Sequence, residues 1–168
     1  MIQKRKKVAK IPGVEEWAGY QEDFTARNAH AFWFGKSADD MQPFFGGSQS
    51  IQRGQELLYM PRQAFQFYIF ASAQYVMSEA AIGDSDAASG FLTGLIAREK
   101  RDPGSVAAIF PRLEPTIDFV AASQARFDAS HDIYGDFNEK AEELKKLVGA
   151  THSQQDPEDQ MLDPTDDA

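Results

Sequence analysis

The sequence predicts an all-α fold: a single compact multi-helix domain around a central aromatic-rich helix. Three observations carry this. Apolar residues recur at helical spacing through most of the 168 residues, with no convincing period-two alternation and no Asn-Gly or Asp-Gly hairpin signal. Proline and glycine fall where such helices would begin and end. Residues 63–78, QAFQFYIFASAQYVMS, hold five aromatic residues and no charge, more apolar surface than one face of a helix can hide.

The first helix is expected after Pro12 and Gly13. Val14, Trp17, Tyr20 or Gln21, and Phe24 are spaced to share a face. Glu15 and Glu16 fall in its first turn, where the helix dipole favours acids, and Gly35 stops the pattern. Ser37 and Asp40 resemble a capping box for a short helix that ends by Pro43. Residues 44–54, FFGGSQSIQRG, read as a mobile loop. Pro61 is placed to open the central helix, 62–82, and Gly83 to end it. On its wheel Phe65, Ile69, Ala73 and Val76 form one stripe, widened by Phe70 and Met77. Tyr68 and Tyr75 lie on a neighbouring flank, and Phe67 is nearly opposite. Such a helix is either central in its domain or lipid-facing.

Further helices are available to cover it. Asp84, Ser85 and Asp86 offer caps for a helix with Phe91, Leu92, Leu95 and Ile96 as its apolar face. Residues 102–105 read as a turn, with Ser105 capping a short helix. Pro115 opens a helix in which Ile117, Val120, Ala121, Gln124 and Phe127 share a face. After Gly135, Asp136 and Glu139 match a capping box for the last helix, whose stripe is Phe137, Ala141, Leu144 and Val148. Lys145 and Lys146 fall in its expected last turn. Six or so helices are expected.

Composition bounds the function. The chain has no cysteine, which excludes disulfides, thiolate nucleophiles and zinc–thiolate sites and suits a reducing, cytoplasmic setting. Five Lys and Arg stand in the first ten residues, but no apolar stretch follows, so no export signal is expected. The uncharged run 63–78 is too short for a membrane span. Net charge is −9, and residues 11–150 hold 20 acids against 12 bases. That body repels nucleic-acid phosphates and favours encounter with a basic protein partner. The expected organisation is a flexible basic arm (1–11), the globular domain (12–149) and a disordered acidic tail (150–168).

Chemistry-bearing patterns are sparse. His30, His131 and His152 stand in none of the short metal-binding spacings, and no metal or cofactor is expected. His131 and Asp132 could form an acid–base couple, although exposed turn residues explain them more simply. The acids at 39, 40, 84 and 86 fit helix caps better than a calcium loop. There is no nucleophile elbow and no phosphate-binding loop. The consecutive aromatics Phe32, Trp33 and Phe34, with Phe44 and Phe45 downstream, are the candidate partner-binding residues. On a helix such a run cannot all face inward.

The segment ELLYMPRQAFQFYIFASAQYVMS, followed by SDAASGFLTGLI and IFPRL, resembles the DUF6714-like group of small bacterial proteins. Leu58, Tyr59, Met60, Pro61, Ala64, Phe65, Phe67 and Tyr68 carry the resemblance, which spans residues 28–128. The chain departs from the pattern in placing Phe67 before Tyr68 and in its long charged ends. The resemblance brings no catalytic residues. It implies a small acidic protein of the kind found beside bacterial toxin systems.

The expected function is therefore a non-enzymatic protein-binding protein, of the immunity or antitoxin type that neutralises a basic partner. Two alternatives stay open. One is a structural subunit of a larger phage or secretion-type assembly. The other is a small-molecule-binding or enzymatic helical domain with a cleft near Phe32, Trp33 and Phe34.

Overall fold

The structure, a computed structural model, describes residues 9–155. Among them the elements are α1 (Phe24–Trp33), α2 (Ala38–Met41), α3 (Ser50–Tyr59), α4 (Arg62–Met77), α5 (Ser85–Arg101), α6 (Phe110–Ala122), α7 (His131–Tyr134) and α8 (Phe137–Gln155), with short 3₁₀ segments in several of the connections. The fold is all-α, and no described residue lies in a strand. None of the described helices is long and apolar enough to cross a membrane.

Helix α4 is central because its apolar residues run most of the way round it. Ala64, Phe65, Tyr68, Ile69, Ala71, Ser72, Ala73, Tyr75 and Val76 are all buried. Helices α2, α3, α5 and α6 cover it, and α8 closes the far side by packing on α5 and α6. The small residues at 64, 71, 72 and 73 let these neighbours approach closely, as dense interior packing requires. The predicted stripe Phe137, Ala141, Leu144 and Val148 is buried under α8.

Several boundaries differ from expectation, each for a local reason. The helix read from residue 14 onward is broken. Residues 14–22 form turns and a 3₁₀ segment, and the Asp23 carboxylate accepts a hydrogen bond from Ala26 N–H at 2.9 Å to start α1. Val14 and Phe24 are consequently exposed and only Trp17 of that face is buried. Residues 44–54 are not a loop: a 3₁₀ turn spans Gln42–Phe45 and α3 begins at Ser50. Helix α4 stops at Met77 rather than 82, because Ser78 turns extended and a 3₁₀ segment (Glu79–Ala81) follows. Pro115 lies inside α6, which opens at Phe110 with Pro111 in its first turn. Helix α8 runs to Gln155, so Lys145 and Lys146 are mid-helix and 150–155 are not disordered. The rest of the acidic tail, and most of the basic arm, lie outside the described residues.

The capping box at Ser37 forms as read, with Ser37 and Asp40 each accepting from the other's backbone N–H. Asp84 caps α5 by accepting from Ala87 N–H at 3.1 Å.

Two tyrosines of α4 tie it to its surroundings. The Tyr68 hydroxyl lies 2.7 Å from the carbonyls of both Trp33 and Lys36, so the central helix caps the end of α1. The Tyr75 hydroxyl donates to Asp84 Oδ2 at 2.7 Å. Burial pushes both phenols up to about 12, with Asp40 near the first and Asp84 beside the second adding to the effect. In the unfolded chain they lose their protons near pH 10, so between pH 10 and 12 only the unfolded state ionises and stability falls as pH rises. The urea midpoint is expected to drop between pH 9 and pH 11, and to drop less in Tyr68→Phe and in Tyr75→Phe.

The Tyr75 ring also presses on the backbone of Gly46. A Cβ at that position would sit 2.8 Å from Tyr75 Cζ, inside any tolerable contact. Gly46→Ala is expected to destabilise by about 1–3 kcal/mol, because overpacking forces the ring or the loop to shift. The denaturation midpoint of that variant checks this, and an unchanged midpoint would mean that the loop moves freely.

Candidate functional site

The five candidate aromatics separate in space. Trp33 and Phe45 are fully or nearly fully buried and stack edge-on 5.6 Å apart, so they are core residues and cannot anchor a partner. Phe32 and Phe44 are half-buried and meet edge-on at 5.1 Å. Two cations cover Phe32: Lys36 Nζ at 4.1 Å and the Arg53 guanidinium at 3.8 Å from the ring centre. Only Phe34, 41% exposed, stands at the surface. The reason is the 100° step per residue of a helix, which sends three consecutive side chains to three sides.

Phe34 belongs to a cluster that the sequence reading did not assemble. The His30 ring lies flat against Tyr20 at 3.7 Å and 6°, tilts against Phe34 at 4.7 Å, and meets Trp17 edge-on at 5.3 Å. These residues, with Val14 and Gln21, line an open groove of about 480 Å³. Trp17 is fully buried, whereas Val14 is 80% exposed. The broken helix creates this arrangement. Turning the chain at Gly19 (φ +90°) folds Trp17 and Tyr20 back onto α1, where His30 and Phe34 follow at i, i+4. That spacing was the available signal.

Burial lowers the pKa of His30, so the ring is neutral at pH 7. Its neighbours are aromatic faces rather than carboxylates. The cluster is a rigid, neutral, aromatic surface, suited to contact rather than to proton transfer. His131 and Asp132 lie on the short α7, both exposed. The Ser130 hydroxyl accepts from Asp132 N–H at 3.2 Å, which is a helix cap, and the two side chains do not join in a couple.

The buried charges each have a structural task. Trp33 Nε1 donates to Glu56 Oε2 at 2.5 Å, and Arg53 Nη1 lies 3.0 Å from the same oxygen. Arg98 and Glu99, side by side on α5, reach opposite ways. Arg98 donates to the carbonyls of Leu58 and Met60, at 2.8 and 2.6 Å, and so caps the end of α3. The Glu99 carboxylate accepts from the backbone N–H groups of Gly104, Val106 and Ala107 and from the Thr151 hydroxyl. Ser105 was expected to cap the short helix that follows it, but the Val106 and Ala107 N–H groups donate to Glu99 instead. Among the described residues no three His, Asp or Glu side chains converge to hold a metal ion.

Comparison with protein families, with curated proteins and with solved structures found no match to this chain.

Proposed function

We propose that the chain is a non-enzymatic protein-binding protein that engages a basic protein partner, in the manner of an immunity or antitoxin-type neutraliser. The observation that carries the reading is the surface around Phe34. Its apolar residues are exposed, yet its aromatic floor of Trp17, Tyr20 and His30 is already packed in place. A pre-ordered aromatic anchor loses little side-chain entropy on binding, which is what concentrates affinity in a few residues.

Charge supports the choice of a basic partner. Glu15 and Glu22 are exposed on the segment that carries Val14 and Tyr20. The excess of acids over bases in residues 11–150 extends that sign over the whole body. Such a field speeds encounter with a cation and turns away an acidic competitor.

The test is affinity purification from the native host with the wild type and with a Val14→Asp, Phe34→Ala double variant. Neither substitution touches the core, so both proteins fold. The reading predicts a basic protein recovered with the wild type and lost with the variant, whose association slows as salt rises. A partner retained by the variant, or an acidic partner insensitive to salt, sinks it.

A further inference from the structure

A second groove, which shares no lining residue with the one at Phe34, shows the marks of a ligand site. Helices α3 and α5 run side by side over α4, and a groove of about 380 Å³ opens between them. Its floor is Leu57, Phe65, Ile69 and Phe91.

Three glycines within these helices, Gly54, Gly90 and Gly94, line its walls. None has a positive φ, and a Cβ added to any of them would meet no atom within 4 Å. A glycine inside a helix lowers stability relative to alanine. Here neither backbone conformation nor packing within the chain calls for one. What the glycines do is keep the groove open down to the helix backbones.

An independent observation lies on the floor. Ser72 is 5% exposed, lines the groove, and its hydroxyl bonds to no described residue. Buried hydroxyls ordinarily find a partner. This one is presented to the groove instead.

The groove has two unlike ends. Arg98 bonds to the carbonyls of Leu58 and Met60 and lies over the Phe65 ring at 4.6 Å. The last turns of α3 and α5 and the first turn of α4 therefore meet there, and the residues that line the groove nearby, Leu57, Leu58, Phe65 and Ala97, are apolar. Ser72 lies two turns further along α4, and Asp86 stands in the first turn of α5; both line the groove. There the Tyr134 hydroxyl donates to Asp86 Oδ1 at 2.8 Å and accepts from the Ser85 hydroxyl at 2.9 Å. Asp86 is the one charged residue that lines the groove.

We propose that this groove binds a small single-headed amphiphile: an apolar body laid over Phe65 and Ile69, and a cationic, hydrogen-bond-donating head, a primary ammonium, at Asp86 and Ser72. A carboxylate head is repelled by Asp86, and an uncharged head forgoes the ion pair. This site is separate from the Phe34 surface, and neither proposal depends on the other.

The test titrates the full chain with decylammonium, decanol and decanoate below their micellar concentrations, with backbone amide NMR shifts as the readout. Decylammonium is expected to saturate with shifts at Ser72, Asp86, Gly90 and Gly94. Its affinity should exceed that of decanoate by about threefold or more, the measure of one ion pair at an exposed carboxylate. Asp86→Asn should remove that preference while the chain still binds decanol. Gly94→Leu should abolish binding of all three, and its fold is secured by the open space and the better helix former. Gly90→Leu is the second filling variant, with helicity checked by circular dichroism. Equal affinity for the three heads, shifts away from the groove, or undiminished binding by the folded filling variants overturns the proposal.

Discussion

Glu99→Ala is expected to cost about 3–5 kcal/mol, the larger part of the stability of a marginal domain. Four donors lose their acceptor at once: three backbone N–H groups in the chain after α5 and the Thr151 hydroxyl on α8. All of these groups are buried, so water does not replace the carboxylate freely. The substitution also releases the end of α8, since Thr151 is the side chain by which that helix holds Glu99. Glu99→Gln should recover little. One of its two terminal atoms becomes a donor and must face an N–H, whichever way the amide is turned. The thermal midpoint is expected to fall by about 10 °C in the alanine variant. A shift of only a degree or two would show that the segment 102–107 is held by its own turns.

Arg98→Met is expected to cost about 3 kcal/mol. Methionine keeps an apolar stem over Phe65 but loses the fork that serves the Leu58 and Met60 carbonyls and Asp102. Those carbonyls are the ones a helix leaves unpaired at its C-terminus, and in α3 they point into the protein rather than to water. Arg98→Lys should regain less than half of the loss, because a single ammonium cannot serve several acceptors in one plane. The urea midpoint should drop with an unchanged slope, the sign that native stability and not the unfolded ensemble has changed. Full stability in the lysine variant would mean that charge alone, and not the fork, closes α3. Arg62, which also pairs with Asp102, is partly exposed and its replacement is expected to matter much less.

Much of the fold was legible because helix formation leaves a local record. The stripe at 137, 141, 144 and 148 needs only periodicity, and Ser37 with Asp40 needs only four residues. The boundaries that failed did so where two local signals competed. Pro115 reads as a helix start, yet it lies inside α6, where it gives up its own backbone hydrogen bond, and Pro111 in the first turn is the proline that opens the helix. Residues 44–54 read as a loop because of their glycines, yet Gly54 sits inside α3. The long helix expected from residue 14 was undone by Asp23, whose carboxylate satisfies the N–H of Ala26 better as a cap than within a helix.

The candidate site was legible only in part. Phe34 was among the residues chosen, but Trp33 and Phe45 were chosen with it. Nothing in a run of aromatics tells which one faces out. Trp17, Tyr20 and His30 were seen singly, and their meeting depends on a chain reversal at Gly19. The groove between α3 and α5 left no mark that could be read, since its glycines looked like ordinary interruptions.

The sequence by itself determined that this protein is a bundle of amphipathic helices around one that is apolar nearly all round. That follows from spacing within each segment, and each helix carries it alone. The tertiary structure decided which charges go inside and which aromatics stay out. Arg98 and Glu99 are adjacent charges that go inside because each meets groups brought in from a distant segment: Arg98 serves the carbonyls of Leu58 and Met60, 40 and 38 residues back, and Glu99 joins the nearby N–H groups of 104, 106 and 107 to Thr151, 52 residues on. Periodicity is a local property, whereas the cost of an unpaired buried group is settled only when distant segments meet.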